Sequence, residues 1–365
     1  MKDLGDRLAA LSPEQRALLE ARLKQKGIHA PRAIAIRPIP NRESLPHFPT
    51  SLDQERLWFI DQMEPGNPAY NIHNTTRLKG PIDRIRMERA INASIARHEV
   101  LRTTFAVLDG VPVQVVRPSL QIPLQLFDHS ALPEAEREAA AQATGVAFAT
   151  DRFDLARGPL VRAGLARIAA DDHVLMVCMH HAITDRWSFD IFEREVGEAY
   201  VAYGRGEEPA FPPLPIQYGD FAAWQRQEFF GPRLREHLAF WHEQLDDAER
   251  VLEIPTDHPR PAVQSFDGGR VYTVFSEELL ASLKALTHTV GATMFMTTLA
   301  ALDLVCWRYS GQRDLLIGSA IADRNREETE QVVGYGYGNG RGQGRGRGVG
   351  KGCGGVRNGP CVSLQ

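Results

Sequence analysis

Cysteine is scarce in this chain of 365 residues: the four that occur, Cys178, Cys306, Cys353 and Cys361, stand at spacings that form no paired motif. That excludes a disulfide framework and a cysteine-rich zinc module, and a reduced cytoplasm fits the usage better. Charge of one sign is lacking too. With 42 basic and 46 acidic residues the net charge is -4, which gives no electrostatic reason to expect nucleic acid as a partner. Long hydrophobic runs are missing as well. The most apolar stretch, 294–307, carries Asp303 and is too short to span a bilayer, so no membrane is expected and the stretch is read as a buried helix. The N-terminus, MKDLGDRLAALSPEQ, has no apolar core of the signal-peptide kind. No GxSxG elbow occurs to present a nucleophilic serine.

What is present is an ordinary globular composition, 43% hydrophobic and 24% charged, in a chain long enough for two or three core-bearing units. Its most informative stretch, VLMVCMHHAITDRWSFDIF, covers 174–192. The apolar run 174–178 reads as a strand buried on both faces. Beyond two histidines the spacing turns helical, with Trp187, Ile191, Val196 and Tyr200 near one stripe and Asp185 and Ser188 as candidate caps. A strand therefore delivers His180 and His181 into a short loop ahead of a helix, where a rigid scaffold presents reactive groups to a cleft. Residue types leave three readings of His180, His181 and Asp185 open: histidines hydrogen-bonded in a core, a metal site, or acid–base work by one imidazole. A metal would need a third ligand at telling spacing, and none is found; no metal is expected.

Around this centre the chain reads in order. Leucines at helical spacing mark two short helices in 1–26, either a flap on the main domain or a docking element for a preceding polypeptide. A proline-rich linker, 27–44, follows. A helix ending at Arg97 feeds a hairpin of strands 101–108 and 111–116 across Asp109-Gly110. A second helix, 134–149, precedes strands 160–168 and 174–179, with Asp171-Asp172 read as a solvated turn. Residues 204–215 form an exposed crossover. The second half reads as one long helix over 221–245 with Trp224, Phe229, Phe230, Leu238 and Trp241 in its core. A strand at 271–275, helices at 277–288 and 293–309, and a strand at 314–321 complete it.

Residues 180–186, HHAITDR, resemble the HHxxxDG motif of non-ribosomal peptide synthetase condensation domains, with Arg186 where that family has glycine. SLDQERLW at 51–58 resembles the family's SxAQxRLW, RHEVLRTTF at 97–105 its RHExLRTxF, and YGDFAAW at 218–224 its YxDFAxW. The resemblance covers about 45–334. It implies an α+β fold of two chloramphenicol acetyltransferase-like lobes in a V shape, 45–203 and 221–333 joined by a crossover at 204–220, with the active site at their junction. It also implies amide-bond formation between an upstream acyl or peptidyl thioester and a downstream aminoacyl thioester. No cofactor is bound; the substrates arrive on the phosphopantetheine arms of upstream and downstream peptidyl carrier proteins.

In that family the second histidine, here His181, stands at the reacting thioester; His180 supports the loop, and Asp185 is an architectural ion-pair partner. Arg324 is the expected partner of Asp185, with Arg56 and Arg326 as alternates, because a bidentate pair fixes a loop. Arg186, Trp187 and Ser188 are placed along the substrate tunnel. Arginine in place of glycine is expected to obstruct that tunnel unless it turns toward Asp190 or Glu193, so Arg186→Gly is expected to raise the rate. From Gly334 to Gly354 glycine takes every second position, and 334–365 holds five basic residues and no acid. It is read as a disordered tail, the product of a shifted reading frame or else a genuine Gly-Arg segment with weak affinity for RNA. The second lobe is then incomplete, and the alternative to an active condensing enzyme is a remnant that at most binds carrier proteins.

Overall fold

The computed structural model describes residues 35–231, 233–246, 251–262, 269, 271–319, 324, 326–336 and 344–347. The helices expected within 1–26 lie outside the described residues, as does most of the tail. A short strand, Phe48–Pro49 (β1), leads to Ser51, which caps Leu52–Met63 (α1). Its hydroxyl accepts from Gln54 N at 3.1 Å while Gln54 Oε1 accepts from Ser51 N at 3.0 Å, a reciprocal capping box. Asn71–Lys79 (β2) follows, then Arg84–Arg97 (α2), capped by Asp83. The hairpin Thr103–Leu108 (β3) and Val111–Val116 (β4) closes at Asp109-Gly110, with φ of 50° and 80° at the two turn residues. Two successive positive φ values match the twist of paired strands, and glycine takes the second at no steric cost.

Leu124–Asp128 (β5), Glu134–Thr150 (α3), Val161–Ala169 (β6), Asp172–His180 (β7) and Arg186–Gly204 (α4) come next. They build a four-stranded sheet in the order β2-β7-β6-β5, with β7 antiparallel to both neighbours and β5 parallel to β6. A second sheet has the order β1-β4-β3. Because β7 is an inner strand, its apolar residues are buried nearly throughout, which is why no polar residue interrupts its core. Helix α3 lies across β2, β6 and β7, and α2 packs on α4 and β5. The fully buried side chains include Ile91, Ile95, Leu160, Leu165, Met176, Phe189 and Phe192. Each contributes about 1.5–3 kcal/mol by leaving water.

The RHE triplet has a structural explanation at the α2–α4 contact. Glu195, 3% exposed on α4, accepts from Ser94 Oγ at 2.7 Å and Arg97 Nε at 2.9 Å, and His98 Nε2 lies 3.0 Å away. Burial opposes ionisation of this carboxyl, but the bonds from His98, Ser94 and Arg97 outweigh it and hold its pKa below the ordinary value. Glu99 meanwhile takes both terminal nitrogens of Arg42 at 2.8 Å. At the β6–β7 turn, Asp172 begins β7, is 9% exposed and binds Arg77 at 2.6 Å and Lys79 at 2.7 Å, so it is a buried carboxylate held by two cations and not the solvated turn residue expected.

The second half departs from the sequence reading at several points. The long helix over 221–245 is two helices, Tyr218–Phe229 (α5) and Arg233–Leu245 (α6). Between them stand Gly231 and Pro232, and proline has no N–H for the helical ladder. Phe230 and Leu238 lie at the surface, 62% and 48% exposed. Residues 271–275 form no strand, and Val271 and Val274 are 98% and 93% exposed. Glu277–Val290 (α7) and Met294–Ser310 (α8) are both helical, yet only Cys306 of α8 is buried. The buried helix of the sequence reading is thus an exposed one. Asp314–Ile317 (β8) pairs antiparallel with Gly344–Arg347 (β9), a strand inside the stretch read as disordered. Among the described residues no single helix is long and apolar enough to cross a membrane, and the bent pair α7 and α8 turns by 103°.

Candidate active site

The sheet register sets His180 at the end of β7, opposite Asn71 of β2, with its backbone N–H donating to Leu160 O at 2.9 Å. A single 3-10 turn, His181–Ile183, then reverses the chain before Asp185 caps α4. The two imidazoles are held as opposite tautomers. Ala182 N–H donates to His180 Nδ1 at 3.1 Å, so that nitrogen carries the lone pair. His181 Nδ1 lies 2.7 Å from Thr184 O, and because a carbonyl only accepts, Nδ1 carries the proton and Nε2 the lone pair. Burial and the neighbouring His181 push His180 down to about 3. Burial also lowers His181; Arg56 adds to the fall, while Thr184 O and Asp185 oppose it. Both rings are therefore neutral near pH 7.

Three long-range anchors fix this turn. Gln54, already in the capping box of α1, donates from Nε2 to Ala182 O at 2.9 Å. Arg324 Nη2 lies 3.2 and 3.1 Å from the two Asp185 oxygens, as expected of the pair, although a single nitrogen serves both oxygens where a two-nitrogen fork was anticipated. The third anchor is Gly334–Tyr335–Gly336. Gly334 N donates to Ser188 Oγ at 3.0 Å, Gly334 O accepts from Arg324 Nη2 at 2.9 Å, and Gly336 N donates to Asp185 Oδ2 at 2.9 Å. Tyr218 OH donates to Tyr335 O at 2.7 Å. Tyr335 is 2% exposed and its ring centroid stands 4.5 Å from that of His181. The packed chain therefore runs past the expected boundary at Gly334.

The remaining expected site residues divide. Ser188 is fully buried: it donates to Asp185 Oδ1 at 2.6 Å and accepts from Arg324, so it braces the loop and presents nothing to a substrate. Trp187 is 44% exposed and donates from its indole to Glu330 O at 3.0 Å. Arg186 is the first residue of α4, has no positive φ, and pairs with Asp190 at 3.1 Å in solvent. The turn uses no glycine conformation there, and the side chain leads along α4 toward Asp190, one of the two directions expected to avoid an obstruction. The alternates for Asp185 have other partners: Arg56 Nη2 donates to Tyr335 OH at 2.9 Å, and the Arg326 guanidinium lies 4.3 Å over the Trp224 ring. Gln54, Tyr218 and Tyr335 were not singled out as site residues, although two of them stand inside quoted motifs. Among the described residues no group of three or more His, Cys, Asp or Glu gathers to hold an ion.

A mixed α+β scaffold whose inner strand ends in a His-His turn, capped by an arginine-paired aspartate, is the chloramphenicol acetyltransferase-like class. Residues 45–335 match the family of the condensation domain, and the chain belongs to that family. It is 43% identical over 300 residues to a linear gramicidin synthase of Brevibacillus parabrevis, a span of 82% of this chain and 4% of that protein. It is 40% identical over 336 residues to phosphinothricin tripeptide synthetase PhsC of Streptomyces viridochromogenes, covering 92% of this chain and 31% of that protein. The chain thus spans a small part of the curated relatives it matches. Among solved structures, the X-domain from teicoplanin biosynthesis in its complex with OxyB superposes with a TM-score of 0.71 at 26% identity, over 83% of this chain and 65% of that one.

Proposed function

We propose that this chain carries out the amide-forming step between two carrier-bound thioesters in cytoplasmic non-ribosomal peptide synthesis, with His181 at the reacting atoms. The observation that carries the reading is the tautomer of His181: Nδ1 is bonded to Thr184 O at 2.7 Å, which leaves the lone pair of the neutral ring on Nε2. The downstream amine attacks the upstream thioester carbonyl, the C–N bond forms and the C–S bond breaks. The amine proton passes to Nε2 and on to the departing pantetheine sulfur. Because burial lowers His181, its ring is ready to accept that proton at neutral pH. His180 and the Asp185–Arg324 pair keep the loop in place and touch no substrate. The phosphopantetheine arms belong to the carrier proteins, and the chain holds no cofactor of its own.

The test uses the chain with an upstream carrier bearing an acyl or aminoacyl thioester and a downstream carrier bearing an aminoacyl thioester. Condensed product on the downstream carrier is expected from the wild type. The His181→Ala variant is expected to lose at least about a hundredfold in rate, the scale of general acid–base assistance, with carrier affinity retained. Product from that variant at the wild-type rate would overturn the role. A second reading, a domain that binds partners without condensing, draws on the likeness to the X-domain that was solved with OxyB. Carrier binding without product from the wild type would favour it.

A further inference from the structure

We propose that Tyr335 is a positioning residue for His181: its ring walls the imidazole from water, and its hydroxyl holds the Arg56 guanidinium beside it. The kinetic part rests on the condensation reading above; the structural part does not. The rings stand at 60° with centroids 4.5 Å apart, an edge-on contact within the favourable range for aromatic pairs. Tyr335 has little freedom to leave. Its own carbonyl is bonded to Tyr218, and the glycines on either side are bonded to Ser188, Arg324 and Asp185, the groups that also fix the histidine turn. One set of bonds thus sets both the ring and the imidazole it faces.

The hydroxyl end links the same unit to α1. Arg56 Nη2 donates to Tyr335 OH at 2.9 Å, across 279 positions of sequence. Arg56 opposes protonation of His181, a smaller influence than burial and Asp185, so the placement of this cation adds to the depression. The charged groups acting on His181 are Asp185 at the start of α4 and Arg56 from α1; His180 precedes it in the chain and the Tyr335 ring packs against it. Asp185 favours the imidazolium and Arg56 disfavours it, while the Tyr335 ring withholds the water that would stabilise it. Removing the ring is therefore expected to bring the His181 pKa back up toward its ordinary 6.5.

The experiment is an NMR titration of the histidine side chains of the full chain with labelled imidazoles, the His181 signals being identified by their loss in His181→Ala. In the wild type the His181 ring protons are expected to carry an aromatic ring-current shift and to titrate below 6.5. Tyr335→Leu, which fills the space without a π face, is expected to remove the ring-current shift. Tyr335→Ala is expected to remove it as well and to move the titration up. Tyr335→Phe should restore the shift and keep most of the depression, which a generally structural role would not separate from the other two. A His181 signal unchanged in folded Tyr335→Leu or Tyr335→Ala would overturn the proposal. With carrier-bound substrates, the acid limb of kcat is expected to move up in Tyr335→Ala with KM little changed. If the titrations behave as expected and no variant or wild type yields product, the condensation reading fails and the positioning of His181 by Tyr335 stands.

Discussion

The neighbouring histidines show how far one residue of chain separates two chemistries. His180 is 3% exposed, with its Nδ1 bonded to the next backbone amide but one, and is depressed to about 3. A depressed histidine contributes stability that is whole above its unfolded value and is lost on acidification. The window here runs from 6.5 down to about 3, and within it His180 costs about 1.4 kcal/mol per pH unit. Urea midpoints are expected to fall with pH across that window, and His180→Gln should flatten the slope; an equally steep slope in the variant would refute the assignment. Arg186 presents the opposite situation. Its guanidinium pairs with Asp190 at the surface, and such a pair at i,i+4 contributes roughly 0.3–0.5 kcal/mol. Arg186→Gly is accordingly expected to leave the condensation rate within about twofold of wild type, contrary to the gain that the motif alone would suggest, with stability lowered by about 1 kcal/mol or less from the lost pair and the glycine. A large increase in rate would reinstate the obstruction.

Among the elements, the short segment 334–336 is the one on which the site closes. A Cβ built on Gly334 would stand 2.0 Å from Tyr218 Cδ2, and that ring is 3% exposed with its hydroxyl bonded on both sides, so it has nowhere to turn. Gly334→Ala is expected to destabilise by about 1–3 kcal/mol through overpacking. Denaturant midpoints would show it, together with loss of the His181 ring-current shift as the segment lifts. Gly197 on α4 serves as the contrast. Nothing lies within 4 Å of its built Cβ, so Gly197→Ala is expected to stabilise by roughly 0.5–1 kcal/mol. Equal effects from the two variants would mean that the close approach to Tyr218 carries no weight. The α2–α4 contact works in a comparable way, since Glu195 gathers Ser94, Arg97 and His98 into one buried cluster that sets how the two helices cross.

At the scale of the whole molecule, apolar surface is unevenly placed. Val271, Tyr272 and Val274 are 98%, 82% and 93% exposed, and along α7 and α8 Val290, Phe295, Val305 and Tyr309 are 61%, 50%, 52% and 66% exposed. Large apolar side chains exposed in this number favour association when they gather into a patch. The chain by itself is expected to self-associate, with a sedimentation coefficient that rises with concentration, and Val271→Asp with Val274→Lys should shift it toward monomer. A single monomeric species at all concentrations would show that the patch is less adhesive than its exposure implies. The pairing of β8 with β9 works against association, because it covers an edge that would otherwise offer free backbone groups.

The sequence by itself determined the local grammar of this protein. The apolar run of β7, the His-His turn, the Asp185 cap, the Asp109-Gly110 hairpin and the ends of α2 and α3 were all legible, because each follows from neighbours within a few residues: period, cap chemistry and turn conformation. Arg324 was also legible as the first candidate partner of Asp185, because a guanidinium suits a carboxylate, but the two-nitrogen fork was not met: one nitrogen reaches both oxygens. Tertiary structure alone decided the rest. It exposed α8, whose apolar composition reads as a core helix, because burial depends on what stands opposite and no periodicity encodes that. It assigned Arg56 to Tyr335 and turned Gln54 toward the histidine turn across 128 positions. It also drew 334–336 into the site from a stretch whose glycine content reads as disordered: three residues can be held by bonds to Asp185, Ser188, Tyr218 and Arg324, and composition cannot show where those partners will lie.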